Sequence, residues 1–97
     1  MRLPVDFDSA ARTEYLEAAA WYDAHRVGLG HEFIAEMGVV IQLISESPAL
    51  FAQIENGVRQ ATIKRFPFSV IYRIEPARIL VLAIFHSSRD PGTWKGR

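Results

Sequence analysis

These 97 residues contain no cysteine, which excludes disulfides, thiolate metal ligands and a cysteine nucleophile together. Lysine is scarce: Lys64 and Lys95 are the only two, and none precedes Asn56. Long apolar runs are absent. The longest, Ile79 to Phe85, is far too short to span a bilayer. No early apolar run follows a basic start either, because Arg2 is succeeded by Pro4, Asp6 and Asp8, so neither secretion nor membrane insertion is expected. A cytoplasmic location fits these absences best. There is also no net charge, with 11 basic against 11 acidic residues, whereas a protein that lives on phosphate backbones usually shows a clear positive excess. No glycine-rich phosphate loop, nucleophile elbow or zinc motif occurs, nor any internal repeat or low-complexity tract.

What is present suffices for one core. With 49% apolar and 23% charged residues, the chain is expected to form a single domain over residues 1–97, stabilised by helices and a sheet rather than by cross-links. Its charges are unevenly placed. Up to Glu55 there are three arginines against nine acidic residues, and from Asn56 onward eight basic residues against Glu75 and Asp90. Any basic face is therefore C-terminal.

Leu3, Val5 and Phe7 alternate with Pro4, Asp6 and Asp8, the period of a short strand that Pro4 directs to a sheet edge. Ser9 is placed to cap a helix in which Ala11, Tyr15, Ala18 and Tyr22 recur at helical spacing. Gly28 and Gly30 interrupt that pattern, and a second amphipathic stretch follows with Phe33, Met37, Val40, Ile41 and Ile44 on one side. Two helices joined so tightly form an antiparallel hairpin. Pro48 ends the second, and a loop leads to the turn dipeptide Asn56-Gly57. Strand chemistry then predicts an antiparallel meander of Val58 to Arg65, Pro67 to Glu75 and Arg78 to His86, followed by an irregular tail, Ser87 to Arg97, turning at Pro91-Gly92. The predicted class is α+β: an N-terminal strand, an antiparallel helical hairpin and a three-stranded antiparallel meander, with the helices on one face of the sheet. In the middle strand Phe68, Val70, Tyr72 and Ile74 are expected toward the helices, and Ser69, Ile71, Arg73 and Glu75 away from them. That second face is the expected functional surface.

Phe85-His86-Ser87-Ser88-Arg89-Asp90-Pro91, followed by Trp94 and Arg97, is a distinctive ending. Together with Trp21-Tyr22, Gly28-Leu29-Gly30 before Phe33, and Arg65-Phe66-Pro67-Phe68 leading to Ile71-Tyr72-Arg73, in this order, it resembles the RelE/ParE toxin superfamily, often labelled plasmid stabilisation proteins. The resemblance covers nearly the whole chain. It implies the toxin of a type II toxin-antitoxin module, held inactive in a hetero-oligomer with a cognate antitoxin. It also implies one of two targets: the RelE branch resembles ribosome-dependent messenger RNA endonucleases, and the ParE branch inhibits DNA gyrase. One fold serves both.

The residues favour the gyrase inhibitor. The alternatives are the ribosome-dependent nuclease and a decayed toxin that retains only antitoxin binding. A nuclease needs acid and base groups and cations on the scissile phosphate. His86 and Arg89 are the catalytic pair if that chemistry is present, the other reading being that His86 fixes the tail and Arg89 pairs with Asp90. Arg59, Lys64, Arg65 and Arg73 are expected as a basic patch for antitoxin or target, joined by Trp94 and Arg97 of the tail. Trp94 stands where RelE-branch nucleases tend to have a tyrosine or other functional aromatic, and an indole can stack a base but cannot act as a general acid. Trp21 and Tyr22 are read as hairpin packing. His25 and His31 flank a flexible turn without a carboxylate at ligand spacing, so no metal or other cofactor is expected.

Overall fold

A computed structural model describes residues 2–97, Pro91 through its backbone alone. The first strand, β1 (Val5–Phe7), leads directly into helix α1 (Ser9–His25), and α2 (Leu29–Glu46) returns beside it. Four strands follow: β2 (Gln53–Glu55), β3 (Val58–Thr62), β4 (Phe68–Ile74) and β5 (Ile79–His86). Short 3-10 turns occupy Pro48–Leu50 and Pro91–Thr93.

The cap of α1 is one residue earlier than expected. Asp8, not Ser9, occupies the position, its carboxylate accepting the Ala10 N–H at 3.1 Å; a carboxylate at a helix N-terminus also faces the positive end of the dipole. Gly28 takes φ of 90° where the chain reverses, a conformation that costs glycine little. Gly30 is needed for a different reason. It sits so close to α1 that a Cβ there would lie 2.5 Å from the Ala19 carbonyl oxygen. Its N–H, one of the unpaired donors of the first turn of α2, is accepted by Asp23 Oδ1 at 2.7 Å.

The sheet is mixed, in the order β1-β5-β4-β3-β2. The C-terminal meander is antiparallel as expected, but β1 runs parallel to β5, with Val5 beside Ile79 and Phe7 beside Val81. Direction at that edge is set by the helical crossover, about which local alternation carries no information. The segment expected to be only a loop contributes the three-residue edge strand β2. Strand β3 ends at Thr62, not Arg65; Arg65 adopts φ of 72°, which takes Lys64 and Arg65 off the sheet into a turn.

Phe33, Met37 and Ile44 of α2 meet Val70, Tyr72, Ile79, Val81 and Ile84 in the main core. Ile71, Leu82 and Ala83 point the other way into a second cluster with Val58 and Trp94. A bulge makes this division. Ile71 pairs with Ala83 and Tyr72 with Val81, leaving Leu82 as the extra residue, so Leu82 and Ala83 share one face while Val81 and Ile84 share the other. Ile74, expected inward, lies exposed at its strand's end.

The close contact at Gly30 is a test of the hairpin. Gly30→Ala is expected to destabilise the chain by about 1–3 kcal/mol, because backbone must move. Gly38→Ala, in mid-helix where a Cβ meets nothing within 4 Å, is expected to stabilise by roughly 0.5–1 kcal/mol. Urea unfolding of the two variants reads both signs.

Candidate functional site

The short β1 leaves the last half of β5 without a neighbour on that side, and a cleft of about 550 Å³ opens there between α1 and the tail. Helix α1 supplies Glu14, Glu17, Trp21 and Tyr22. The end of β5 and the following turn supply Ile84, His86, Ser88 and Arg89, and Pro67 and Phe68 close the remaining side. The structure thus brings His86 and Arg89 together, but on the helix side of the sheet and not on the face expected to carry function.

His86 is held firmly. Its Nδ1 accepts the Ser88 backbone N–H at 3.1 Å and lies 2.7 Å from Ser88 Oγ, and its ring meets Phe68 edge-on at 4.9 Å. A backbone N–H can only donate, so in this arrangement Nδ1 is the unprotonated nitrogen and a neutral ring carries its proton on Nε2. In that tautomer His86 offers a donor to the cleft and no lone pair for a base.

The basic residues expected to form a patch are dispersed, and all but Lys64 are engaged. Arg59 donates to the carbonyls of Phe51 at 2.7 Å and Ala49 at 3.3 Å, pinning the approach to β2. Arg65 lies over the Phe66 ring and pairs with Glu32 and Glu36 of α2. Arg73 binds Glu75 at 2.8 Å, and Glu75 also holds Arg78, which reaches Asp6. Arg97 makes a two-pronged pair with Glu14 at 2.9 and 3.0 Å and donates to the Leu82 carbonyl at 3.0 Å. Lys64 and Arg89 have no ion pair among the described residues.

The tail crosses the second face of the sheet instead of leaving it open. Trp94, expected as a contact for a partner or nucleic base, is only 4% exposed and packs in the second cluster. Its indole N–H is buried with no hydrogen-bond partner among the described residues, a cost of about 1–3 kcal/mol. Ser69 of the same face is buried too, its hydroxyl bonded by Gln60 at 3.0 Å.

Two cleft residues were not legible as such in the sequence. Trp21, read as packing, is 57% exposed and stacks on His25 with ring centres 3.7 Å apart. Glu14 has the look of an ordinary outer-face helix carboxylate, yet its Oε1 accepts the Ile84 N–H at 3.1 Å. Tracing which β5 donors lack a strand partner is the one signal that leads to it. Among the described residues no helix is long and apolar enough to cross a membrane.

A family model described as the ParE toxin of type II toxin-antitoxin system, parDE, matches residues 5–91. A solved structure described as the chromosomal ParDE TA system from P. aeruginosa is similar, with a TM-score of 0.76 over 88% of this chain and 96% of that one. Identity to it is 17%, so the likeness is one of fold. No curated protein matches.

The ion pairs give a pH signature. Hydrogen bonding to Arg65 holds the Glu32 carboxyl below its ordinary range, and Arg78 followed by Arg73 does the same for Glu75. A lowered folded-state value means that the stabilisation is complete above the unfolded-chain value of about 4.5 and is lost as pH falls through the folded value. The urea midpoint is therefore expected to hold between about pH 7 and 5 and to decline below about 4.5. A Glu32→Gln, Glu75→Gln double variant should show a shallower acid decline; an identical decline would remove these pairs from the account.

Proposed function

The chain belongs to the ParE toxin family of type II toxin-antitoxin systems, and from that premise we propose that it arrests growth by inhibiting DNA gyrase until a cognate antitoxin binds it. It acts in this reading as a single cytoplasmic domain forming a hetero-oligomer with the antitoxin. The observation that carries the choice of gyrase over RNA is the state of the basic residues. Arg59, Arg65, Arg73 and Arg97 each spend their donors on the chain's own carbonyls or carboxylates. An RNase that docks on ribosomal RNA needs such cations free for phosphate. The His86 tautomer supports the same choice, since a donor at Nε2 suits a protein contact and not a general base. Lys64, Arg89 and the exposed Trp21 then remain available to a protein partner, with aromatic and arginine contacts typical of such surfaces.

A second reading retains one specific observation: His86 and Arg89 line the same cleft. That is the arrangement a ribosome-dependent messenger RNA endonuclease would need if substrate binding reversed the imidazole's hydrogen bonding.

Induced expression, assayed for growth, gyrase supercoiling and ribosome-dependent messenger RNA cleavage, separates the two. Wild type is expected to arrest growth and block supercoiling without cleaving message. Arg89→Ala should weaken the block roughly tenfold, about 1.4 kcal/mol, with His86→Ala having a smaller effect. Cleavage that either substitution abolishes, with supercoiling untouched, overturns the gyrase reading.

A further inference from the structure

We propose that residues 87–97 form a latch across the second face of the sheet, kept shut at Glu14, and that a partner's arginine entering the cleft opens it. The partner rests on the toxin-antitoxin reading; the latch rests on the chain's own contacts alone.

Glu14 faces two ways. It lines the cleft, and it is also the keeper of the tail, because the guanidinium of Arg97 is bound to both of its oxygens. The pair is well shielded, with side chains 21% and 16% exposed. Arg97 in turn caps the Leu82 carbonyl, the free acceptor of the bulged residue. Two further contacts hold the tail. Lys95 approaches Glu55 only to 3.9 Å, with both side chains well exposed, so the pair contributes little. Trp94 gains from burial but leaves its indole N–H unpaired among the described residues, and lifting the tail would return that donor to water.

The cleft provides a route to the keeper. Glu17 lies one turn along α1 from Glu14, and the exposed face of Trp21 lies a turn further. A carboxylate beside an open indole attracts a guanidinium on an apolar stem through charge and cation–π contact. Stoichiometry at Glu14 makes entry there competitive. Oε1 already accepts from both Ile84 N–H and Arg97, which uses its two lone pairs, so a second two-pronged guanidinium must displace the first. Cleft occupancy and tail closure are thereby coupled, and the coupling acts equally in both directions.

The test uses the isolated protein, so that its failure is distinct from failure of the gyrase reading. In a Trp21→Phe background Trp94 is the only indole, and acrylamide quenching of its fluorescence reports whether the tail is closed. Arg97→Met, which leaves the Ile84 acceptor in place, is expected to raise the quenching constant roughly fivefold, with circular dichroism unchanged. Arg97→Lys should fall between the two, and it carries the comparison if the methionine variant does not fold. Glu17→Arg places a competing guanidinium next to Glu14 and is expected to raise quenching above that of Glu17→Gln. Undiminished protection of Trp94 without the Arg97 fork overturns the latch, and equal quenching in the two Glu17 variants overturns its coupling to the cleft.

Discussion

Strand β5 is apolar almost from end to end, and every layer of this protein answers to that. Alternation gives a half-buried strand one face to hide; Ile79-Leu80-Val81-Leu82-Ala83-Ile84-Phe85 has two. It lies between β4 and the short β1, and its two apolar faces are the larger demand. The helical hairpin covers one face with Phe33, Met37 and Ile44. The hairpin cannot reach the other, and the tail covers it with Trp94. The bulge at Leu82 assigns residues between the two covers. It turns Leu82 and Ala83 together toward the tail and restores Ile84 to the helices.

The fold also redirects the charge of a chain with eight of its eleven basic residues after Asn56. Ion pairs tie those residues back to the acidic N-terminal half: Arg65 to Glu32 and Glu36, Arg78 to Asp6, Arg97 to Glu14. The exposed pairs, those of Arg65 with Glu32 and of Arg78 with Asp6, each contribute little. Collectively they orient the meander against the hairpin and neutralise what the linear charge distribution suggests is a phosphate-binding face. Charge asymmetry along a sequence is thus a poor guide to a surface when the fold is built by pairing the two halves.

Features with local causes were legible in the sequence. Helical spacing located α1 and α2, Gly28 and Asn56-Gly57 the reversals, and β-branched alternation the meander. What escaped were arrangements made by residues distant in the chain. The parallel direction of β1 depends on the crossover, β2 on pairing with β3, and the burial of Trp94 on a tail whose own composition indicates only irregular structure. Among candidate site residues, His86 stands out in the sequence because a histidine at a strand end is chemically conspicuous, and the fold sets it with Arg89 in the cleft. Glu14 was missed because its role comes from a backbone donor 70 positions away.

The cleft follows from the length of β1. Three residues of parallel pairing satisfy β5 only as far as Val81, where Asp8 N–H closes the ladder at 2.9 Å. Beyond it, Leu82 C=O and Ile84 N–H face a gap where an edge strand would have supplied partners. Two side chains replace that strand, Arg97 for the carbonyl and Glu14 for the amide, and because they also bind one another the substitution is self-consistent. A side-chain pair is narrower than a strand, so the space it leaves unfilled is the cleft that His86, Arg89 and Trp21 line. A longer β1 would give a more regular sheet and erase the cleft on which the proposed function of this chain rests.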